Sequence, residues 1–212
     1  MVTKVIPIGL LSFGIFLLMQ IILPAVSFQF WELGQKYSNS SLVSPTSPKD
    51  NQVLGISIKN KDNFSLIVST LSRESKANYS NFYISIPRLK MEKVSVLVDS
   101  NEISQGLVHL PGSALPGEKG NVFISGHSAL SQLFSLRSVP FARLQELKIG
   151  DQIILDADNS RYIYQITNLK TVDPLDISVI TAPDPLNRFI SLMTCVPPGL
   201  NFKRLVVSGK ML

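Results

Sequence analysis

The sequence predicts an all-β domain, an eight-stranded and closed or nearly closed β-barrel with one or two short helices. From Tyr83 onward, short β-branched or aromatic runs alternate with Gly, Pro and Asp residues, which is typical of an all-β domain. Within this region Phe141–Lys148 has apolar residues at helical spacing and is followed by Gly150 and Asp151, which predicts a short helix that ends there. The predicted strands are Tyr83–Ile86, Val94–Val98, Leu107–His109, Val122–Ser125, Gln152–Ala157, Tyr162–Leu169, Phe189–Thr194 and Leu205–Ser208.

Two connections between these strands stand out. Asp158–Ser160 predicts a tight hairpin between the fifth and sixth strands, because Asp and Asn favour such turns. Lys170–Arg188 contains Pro174, Pro183 and Pro185 and predicts a long connection. Long connections in compact domains usually serve a function, so a functional role is expected here.

Residues 1–31 are predicted to form a membrane anchor. Val5–Trp31 contains no charged residue and is long enough to cross a hydrocarbon core, which takes about 20 residues. A cleaved signal peptide is the competing interpretation, with Ala25–Ser27 as its small-residue site, but the apolar core of a signal peptide is shorter, at about 7–15 residues. Lys4 favours a cytoplasmic amino terminus, with the rest of the chain on the outer side of the cell membrane.

Residues 32–80 are predicted to form a spacer and one unassigned segment, ahead of a barrel over residues 81–212. Gly34–Asn51 is rich in Ser, Pro and Asn, a composition that buries no core. Gly55–Leu71 is compatible with a strand or with a short helix.

Composition excludes several classes of site. A single cysteine rules out an internal disulfide framework and any multi-cysteine zinc or iron–sulfur site. With two histidines, a metal site would consist mostly of carboxylates. The net charge of +5 is spread over scattered Lys and Arg residues, and no basic run interleaved with aromatics indicates a nucleic-acid partner.

Cys195 is the candidate nucleophile. A lone cysteine can be a core residue, an intermolecular bridging residue or a nucleophile. Here it ends an apolar run and is followed by the Val196–Gly199 turn, so it lies at a strand end, where barrel sites open. Arg204 opens the next apolar run nine residues later, and a neighbouring cation lowers the pKa of a thiol. Lys203 is expected to point to the opposite face of that strand.

The chain has two candidates for a catalytic acid and base, His127 and His109. Acyl transfer needs a group that protonates the leaving amine, and histidine is the usual choice. His127 lies in ISGHS, just past a strand, and its Gly126 neighbour suggests close approach of a substrate. His109 lies in VHLPG, also at a strand end. Position in the sequence alone slightly favours His127 as the catalytic acid and base, and it leaves both histidines as candidates.

Three stretches, VHLPGSALPGEKGNVFISGHS, SLMTCVPPG and RLVV, together resemble the sortase family of membrane-anchored cysteine transpeptidases. Sortases typically have a T-L-x-T-C strand end, a G-H pair about sixty to seventy residues upstream and an arginine that opens the following strand. Ser191 stands in place of the first Thr of that motif, which keeps a hydroxyl there. The resemblance covers roughly Tyr83–Leu212.

The resemblance implies an eight-stranded barrel and a catalytic set of His127, Cys195 and Arg204, with His109 either in a structural role or in support of the residues that react. Cys195 would attack the Thr–Gly carbonyl of an LPxTG-like sorting signal, and the acyl group would pass to an amine on the cell envelope or on another protein. Thr194 is a further prediction, as a substrate-binding residue. A hydrolytic peptidase and a non-catalytic binding barrel are the alternatives.

The resemblance also bears on cofactors and class. No cofactor is implied as a requirement, although in some members calcium orders the loop before the cysteine strand. Asp173, Asp176 and Asp184 supply carboxylates there, and Glu118 could face them. A single N-terminal anchor resembles that of housekeeping or class D/E-like sortases.

Overall fold

The protein is represented by a computed structural model that describes residues 13–16, 18–19, 22–23, 26, 30, 52–53, 56–61, 64–69, 77–128, 139–197 and 202–212. The chain divides into two compact units, Met1–Ser44 and Pro45–Leu212. The described residues of the first unit are helical. Most of the predicted anchor, 1–31, lies outside the described residues, and none of the helices that are described has the length and apolar character needed to cross a membrane. The anchor and the division at residues 31 and 80 therefore stay predictions.

Three strands precede the barrel in the second unit and form a sheet of their own. They are β1 (Gln52–Val53), β2 (Ile56–Lys61) and β3 (Phe64–Ser69), paired antiparallel in the order β1-β2-β3. The sequence of Gly55–Leu71 was compatible with a strand or with a short helix. The segment contains two paired strands.

The predicted eight-stranded barrel is confirmed. Its strands close in the order β10-β11-β9-β8-β4-β5-β6-β7, so that β7 pairs with β10. All eight predicted strands are present, several of them longer than expected. They are β4 (Asn81–Ile86), β5 (Met91–Leu97), β6 (Leu107–His109), β7 (Gly120–Ser125), β8 (Gln152–Ala157), β9 (Ser160–Val172), β10 (Arg188–Val196) and β11 (Lys203–Met211).

The predicted hairpin joins β8 to β9. Ala157 pairs with Ser160, and the two residues between them, Asp158 and Asn159, have φ values of 47° and 59°. A two-residue hairpin turn needs positive φ at both positions, which Asp and Asn tolerate better than most residues.

The helix predicted over Phe141–Lys148 is much shorter. Only Leu144–Glu146 is helical, as a single 3₁₀ turn. The buried residues Phe141, Leu144 and Leu147 are spaced three apart, and this spacing aligns side chains on one side of a 3₁₀ helix. The other 3₁₀ helices among the described residues are Pro87–Leu89, Ile103–Gln105 and Ile177–Ile180.

Strand β10 is covered on both faces, which holds the end of the strand rigidly. Ile190 and Leu192 are fully buried on the inner face. On the outer face, Met193 packs in a cluster with Val179, which belongs to the connection between β9 and β10. That connection runs over residues 173–187, so the long connection expected before Arg188 is present. Burying such side chains contributes about 1.5–3 kcal/mol each.

Candidate active site

Cys195 and Arg204 lie directly opposite each other on β10 and β11. The antiparallel register pairs these two residues. Directly opposite residues of an antiparallel pair point to the same face, with their Cβ atoms about 4.5–5.5 Å apart. The hairpin expected from the sequence therefore places the thiol and the guanidinium side by side.

Lys203 is on the other face, as expected from the alternation of a strand. It pairs with Val196, and its side chain is 46% exposed, with its Nζ atom 3.9 Å from the Asp173 carboxylate. Arg204, in contrast, is only 2% exposed. Of these two adjacent cations, Arg204 is the one that shares a face with the thiol.

His127 lies beside the Cys195 segment because the residues on both sides of it bond to β10. The parallel pairing of β7 with β10 ends at Ser125 and Met193. Beyond that point the Gly126 N–H donates to the Met193 carbonyl at 3.1 Å, and the Ser128 hydroxyl donates to the Cys195 carbonyl. His127 is therefore aligned with the last residues of β10.

Gly126 packs tightly against the core on one side, and it also lines the pocket described below. A Cβ atom at this position would lie 2.4 Å from Leu107 Cδ2 and 2.7 Å from Phe141 Cδ2. These distances are far inside normal carbon contact, which is about 3.5–4.0 Å. A side chain at position 126 would force a shift of Leu107, of Phe141 or of the backbone that carries His127.

Thr194 fixes the same segment from the β10 side. Its side chain is buried, and its hydroxyl donates to the Gly126 carbonyl at 2.8 Å. The O–H donor is thus engaged within the protein, although Thr194 also lines the pocket described below. Its predicted contact with substrate stays a prediction.

Sequence reasoning missed Ser128. Its hydroxyl reaches the main chain of Cys195 itself. The available signal was a hydroxyl residue directly after the histidine in ISGHS, but its partner lies in a strand 67 residues away.

Burial dominates the electrostatics of the site. It raises the pKa of the Cys195 thiol above its ordinary value of 9.0, and the positive charge of Arg204 offsets part of that increase. It also lowers the pKa of His127 below 6.5. Burial lowers the pKa of Arg204, whereas Cys195 and Asp173 raise it. Near neutral pH the thiol and the uncharged imidazole therefore predominate.

A pocket with an apolar floor opens next to Cys195 and Arg204. Its walls come from β6, β7, β10 and the segment that follows β5. The apolar lining residues are Ile103, Val108, Leu110 and Met193, and the polar ones include Ser100, Asn101 and Ser125. Such a lining can hold an apolar group next to the thiol.

His109 is fully buried and away from this set. Its Nε2 atom lies 2.9 Å from the Ala114 carbonyl, and its ring meets the edge of Phe82 with centroids 5.9 Å apart. The role of His109, structural or in support of the reacting residues, stays a prediction. The catalytic roles of His127, Cys195 and Arg204 stay predictions.

The carboxylates that were candidates for binding calcium accept hydrogen bonds from nearby backbone N–H groups. Asp173, Asp176 and Asp184 accept hydrogen bonds from the N–H groups two residues later, and Glu118 accepts one from Leu115 N–H. Within the described part of the chain, no group of three or more His, Cys, Asp or Glu side chains is arranged to hold a metal ion.

Comparisons with known proteins point to one family. The model of the sortase domain matches residues 84–212. Sortase D of Bacillus subtilis (strain 168) is 32% identical over 131 residues, 60% of this chain and 61% of that protein. Sortase A of Bacillus anthracis is 33% identical over 130 residues, 60% of this chain and 58% of that protein. The aligned region thus spans about three fifths of each relative.

Solved structures of sortases superpose on this chain, in agreement with the match to the sortase family. The lid mutant of sortase A from Corynebacterium diphtheriae superposes with a TM-score of 0.55 at 28% identity, covering 66% of this chain and 73% of that one. Sortase C1 from Streptococcus agalactiae superposes with a TM-score of 0.56 at 31% identity, covering 66% and 72%.

Proposed function

The chain belongs to the sortase family, and on that premise we propose that it is a cysteine transpeptidase that sorts surface proteins. It would cleave an LPxTG-like signal through a thioacyl-enzyme and transfer the acyl group to an amine on the cell envelope or on another protein. The observation that carries this proposal is the meeting of three groups at one end of the barrel. Arg204 is paired with Cys195, and His127 is held between two residues that bond to β10.

In the acylation step, the Cys195 thiolate attacks the carbonyl carbon of the Thr–Gly bond of the signal. A C–S bond forms, and the carbonyl electrons move to the oxygen. Arg204 faces this oxygen with a planar fork of N–H donors and stabilises its negative charge. The C–N bond then breaks, His127 gives its proton to the departing amine, and a thioester remains.

In the transfer step, the nitrogen of the acceptor amine attacks the thioester carbon. His127 takes a proton from this nitrogen, the C–S bond breaks, and the thiolate is released beside Arg204. A new amide bond replaces the one that was cleaved. The imidazolium and the thiolate that started the cycle are regenerated.

The pKa directions determine how much enzyme is ready to react. The step needs a thiolate and an imidazolium, but burial raises the pKa of Cys195 and lowers that of His127. The reactive charge pair is therefore a minority form, in equilibrium with the thiol and the neutral imidazole. Arg204 increases its population because a positive charge stabilises the thiolate.

We propose the outer side of the cell membrane as the site of action, with residues 1–31 as a single anchor. This proposal is supported by the uncharged stretch Val5–Trp31 and by Lys4 ahead of it. The partners would be exported proteins that carry C-terminal sorting signals.

The test uses the full chain with peptides that vary each position of an LPxTG-like pentamer, with and without a glycine-based amine. Ligated product in the presence of the amine is expected, together with a mass increase on Cys195 that equals the acyl fragment. Release of free acid alone would make the protein a hydrolase. Absence of any adduct would leave a binding barrel and refute catalysis.

A matched pair of variants checks the site. Arg204→Met removes the cation beside the thiol and should abolish most turnover. Lys203→Met removes the adjacent cation on the opposite face and should leave turnover intact. Equal losses in both variants would contradict the assignment.

A further inference from the structure

His109 is a buried histidine that the proposed reaction does not use. Its Nε2 atom lies 2.9 Å from the Ala114 carbonyl and 2.8 Å from Ser113 Oγ. The Ser113 hydroxyl donates its own proton to the Leu110 carbonyl at 2.8 Å, so a lone pair faces the ring. Both partners of Nε2 accept hydrogen bonds, and Nε2 therefore carries a proton.

The other ring nitrogen faces the segment that follows β5. The Asp99 N–H donates to Nδ1 at 3.4 Å, and one oxygen of the Asp99 carboxylate lies 3.4 Å from the same atom. Asp99 thus offers a donor to the neutral ring and an acceptor to the protonated ring. In addition, the Ser100 N–H donates to the His109 carbonyl at 3.1 Å.

This segment forms one wall of the pocket beside the thiol. Ser100, Asn101 and Ile103 line that pocket together with Cys195 and Arg204. Asp99 turns the chain into the wall with a φ of 51°, a left-handed conformation that Asp tolerates better than most residues. His109 bonds to the first two residues of the wall on one side and to Ser113 and Ala114 on the other.

We infer that His109 is a positioning residue that holds residues 99–103 as a wall of the substrate pocket. Its role is in the binding of the sorting peptide, and it takes no part in the reaction of the Cys195 thiol. The inference deepens the proposed function and rests on it for the substrate. A merely structural histidine would change stability without changing the mobility of this wall or the affinity for peptide.

Two substitutions separate the two ring nitrogens. His109→Asn keeps an acceptor near the Nδ1 position for Asp99 N–H and loses the donor to Ala114. His109→Gln keeps a donor near the Nε2 position and loses the acceptor for Asp99 N–H. Tyr164→Phe is the matched control, since it removes another partly buried hydrogen bond, from Gly117 N–H to the Tyr164 hydroxyl at 3.2 Å.

The first measurement is amide hydrogen exchange over residues 97–106, which needs no substrate. His109→Gln should speed exchange there about tenfold, the equivalent of losing one partly buried hydrogen bond. His109→Asn, which loses the contacts with Ala114 and Ser113 but keeps an acceptor for Asp99 N–H, should speed exchange by about threefold, and Tyr164→Phe should leave this segment unchanged. Unchanged exchange in His109→Gln, or equal acceleration in all three variants, would overturn the inference.

The second measurement separates binding from chemistry. His109→Gln should raise KM for a sorting peptide about tenfold, with kcat and the rate of Cys195 alkylation by iodoacetamide unchanged. A fall in kcat together with the alkylation rate would make His109 a participant in the chemistry and overturn the inference. A wild-type chain that cleaved no peptide would refute the proposed function, whereas the exchange measurement would still decide the role of His109.

If His109→Gln does not fold, Ser113→Ala takes its place. This variant removes one of the two acceptors of Nε2 and should accelerate exchange over residues 97–106 by about threefold, since part of the interaction remains. No acceleration in a folded Ser113→Ala would count against the inference.

Discussion

Gly126→Ala tests how closely the backbone of His127 is set against the barrel. The added Cβ would lie 2.4 Å from Leu107 Cδ2 and 2.7 Å from Phe141 Cδ2. Normal carbon contact is about 3.5–4.0 Å, so the shortfall is about 1 Å. Leu107 and Phe141 are at most 1% exposed and have little space to retreat. We therefore expect the backbone at position 126 to shift.

Two magnitudes follow from this shift. Overpacking a core costs about 1–3 kcal/mol of the free energy of unfolding. A displacement of about 1 Å in a catalytic group costs about 10²-fold in rate. Because Gly126 is bonded to both Met193 and Thr194, its shift moves His127 relative to Cys195. The activity loss should thus exceed what partial unfolding alone would cause.

The assay compares kcat for peptide cleavage with the unfolding free energy in urea. Gly209→Ala is the control, because its Cβ would lie 2.8 Å from the Gln165 carbonyl oxygen, beside Ile190 and away from the end of β10. Both variants should lose stability, and only Gly126→Ala should lose kcat by about 10²-fold. If Gly126→Ala kept wild-type kcat, or if both variants lost kcat equally, the argument that Gly126 positions His127 would be wrong.

Three further predictions concern the same site. Arg204→Lys keeps the charge and loses the fork, so kcat/KM should fall about 10²-fold while the alkylation rate of Cys195 changes little; full activity would refute the oxyanion role. Thr194→Val removes the bond to Gly126 and should lower kcat about tenfold, with Thr194→Ser restoring it; a change in KM alone would instead favour substrate binding. The pKa of Cys195 lies above 9.0 and that of His127 lies below 6.5. The value of kcat/KM should therefore fall below pH 6.5, where acid protonates the imidazole, and above pH 9, where base ionises the thiol, with a plateau between these limits. A narrower bell-shaped dependence of kcat/KM on pH, measured in peptide cleavage, would contradict these pKa directions.

The strands and the Cys195–Arg204 pair were predictable because both depend on local patterns. Short β-branched runs between turn residues locate the strands, and the nine-residue separation of Cys195 and Arg204 brings them together across one hairpin. The sequence also indicated which of Lys203 and Arg204 faces the thiol, since strand residues alternate. The short helix near Leu144 was overestimated, because a spacing of three residues fits a 3₁₀ turn as well as an α-helix.

The contacts that hold the site could not be read from the chain. Gly126 packs against Leu107 and Phe141, which lie 19 and 15 residues away on either side of it. The partner of the Thr194 hydroxyl is a backbone carbonyl 68 residues upstream. Such contacts depend on the closed barrel, and neither residue type nor local spacing encodes them. For the same reason, the close packing of Gly126 was not evident from its place beside a histidine.

The closure of the barrel through β7 and β10 has a consequence for folding. The Thr194 bond to Gly126 joins segments 68 residues apart, so the loop that must close is long. Pairings of this separation form late and slowly compared with hairpins such as β8–β9. Until they form, His127 has no fixed relation to Cys195, although the thiol already has its neighbouring arginine. We therefore expect a newly made chain to gain the proposed transpeptidase activity only in the last step of folding, which would make activity a sensitive reporter of complete barrel closure.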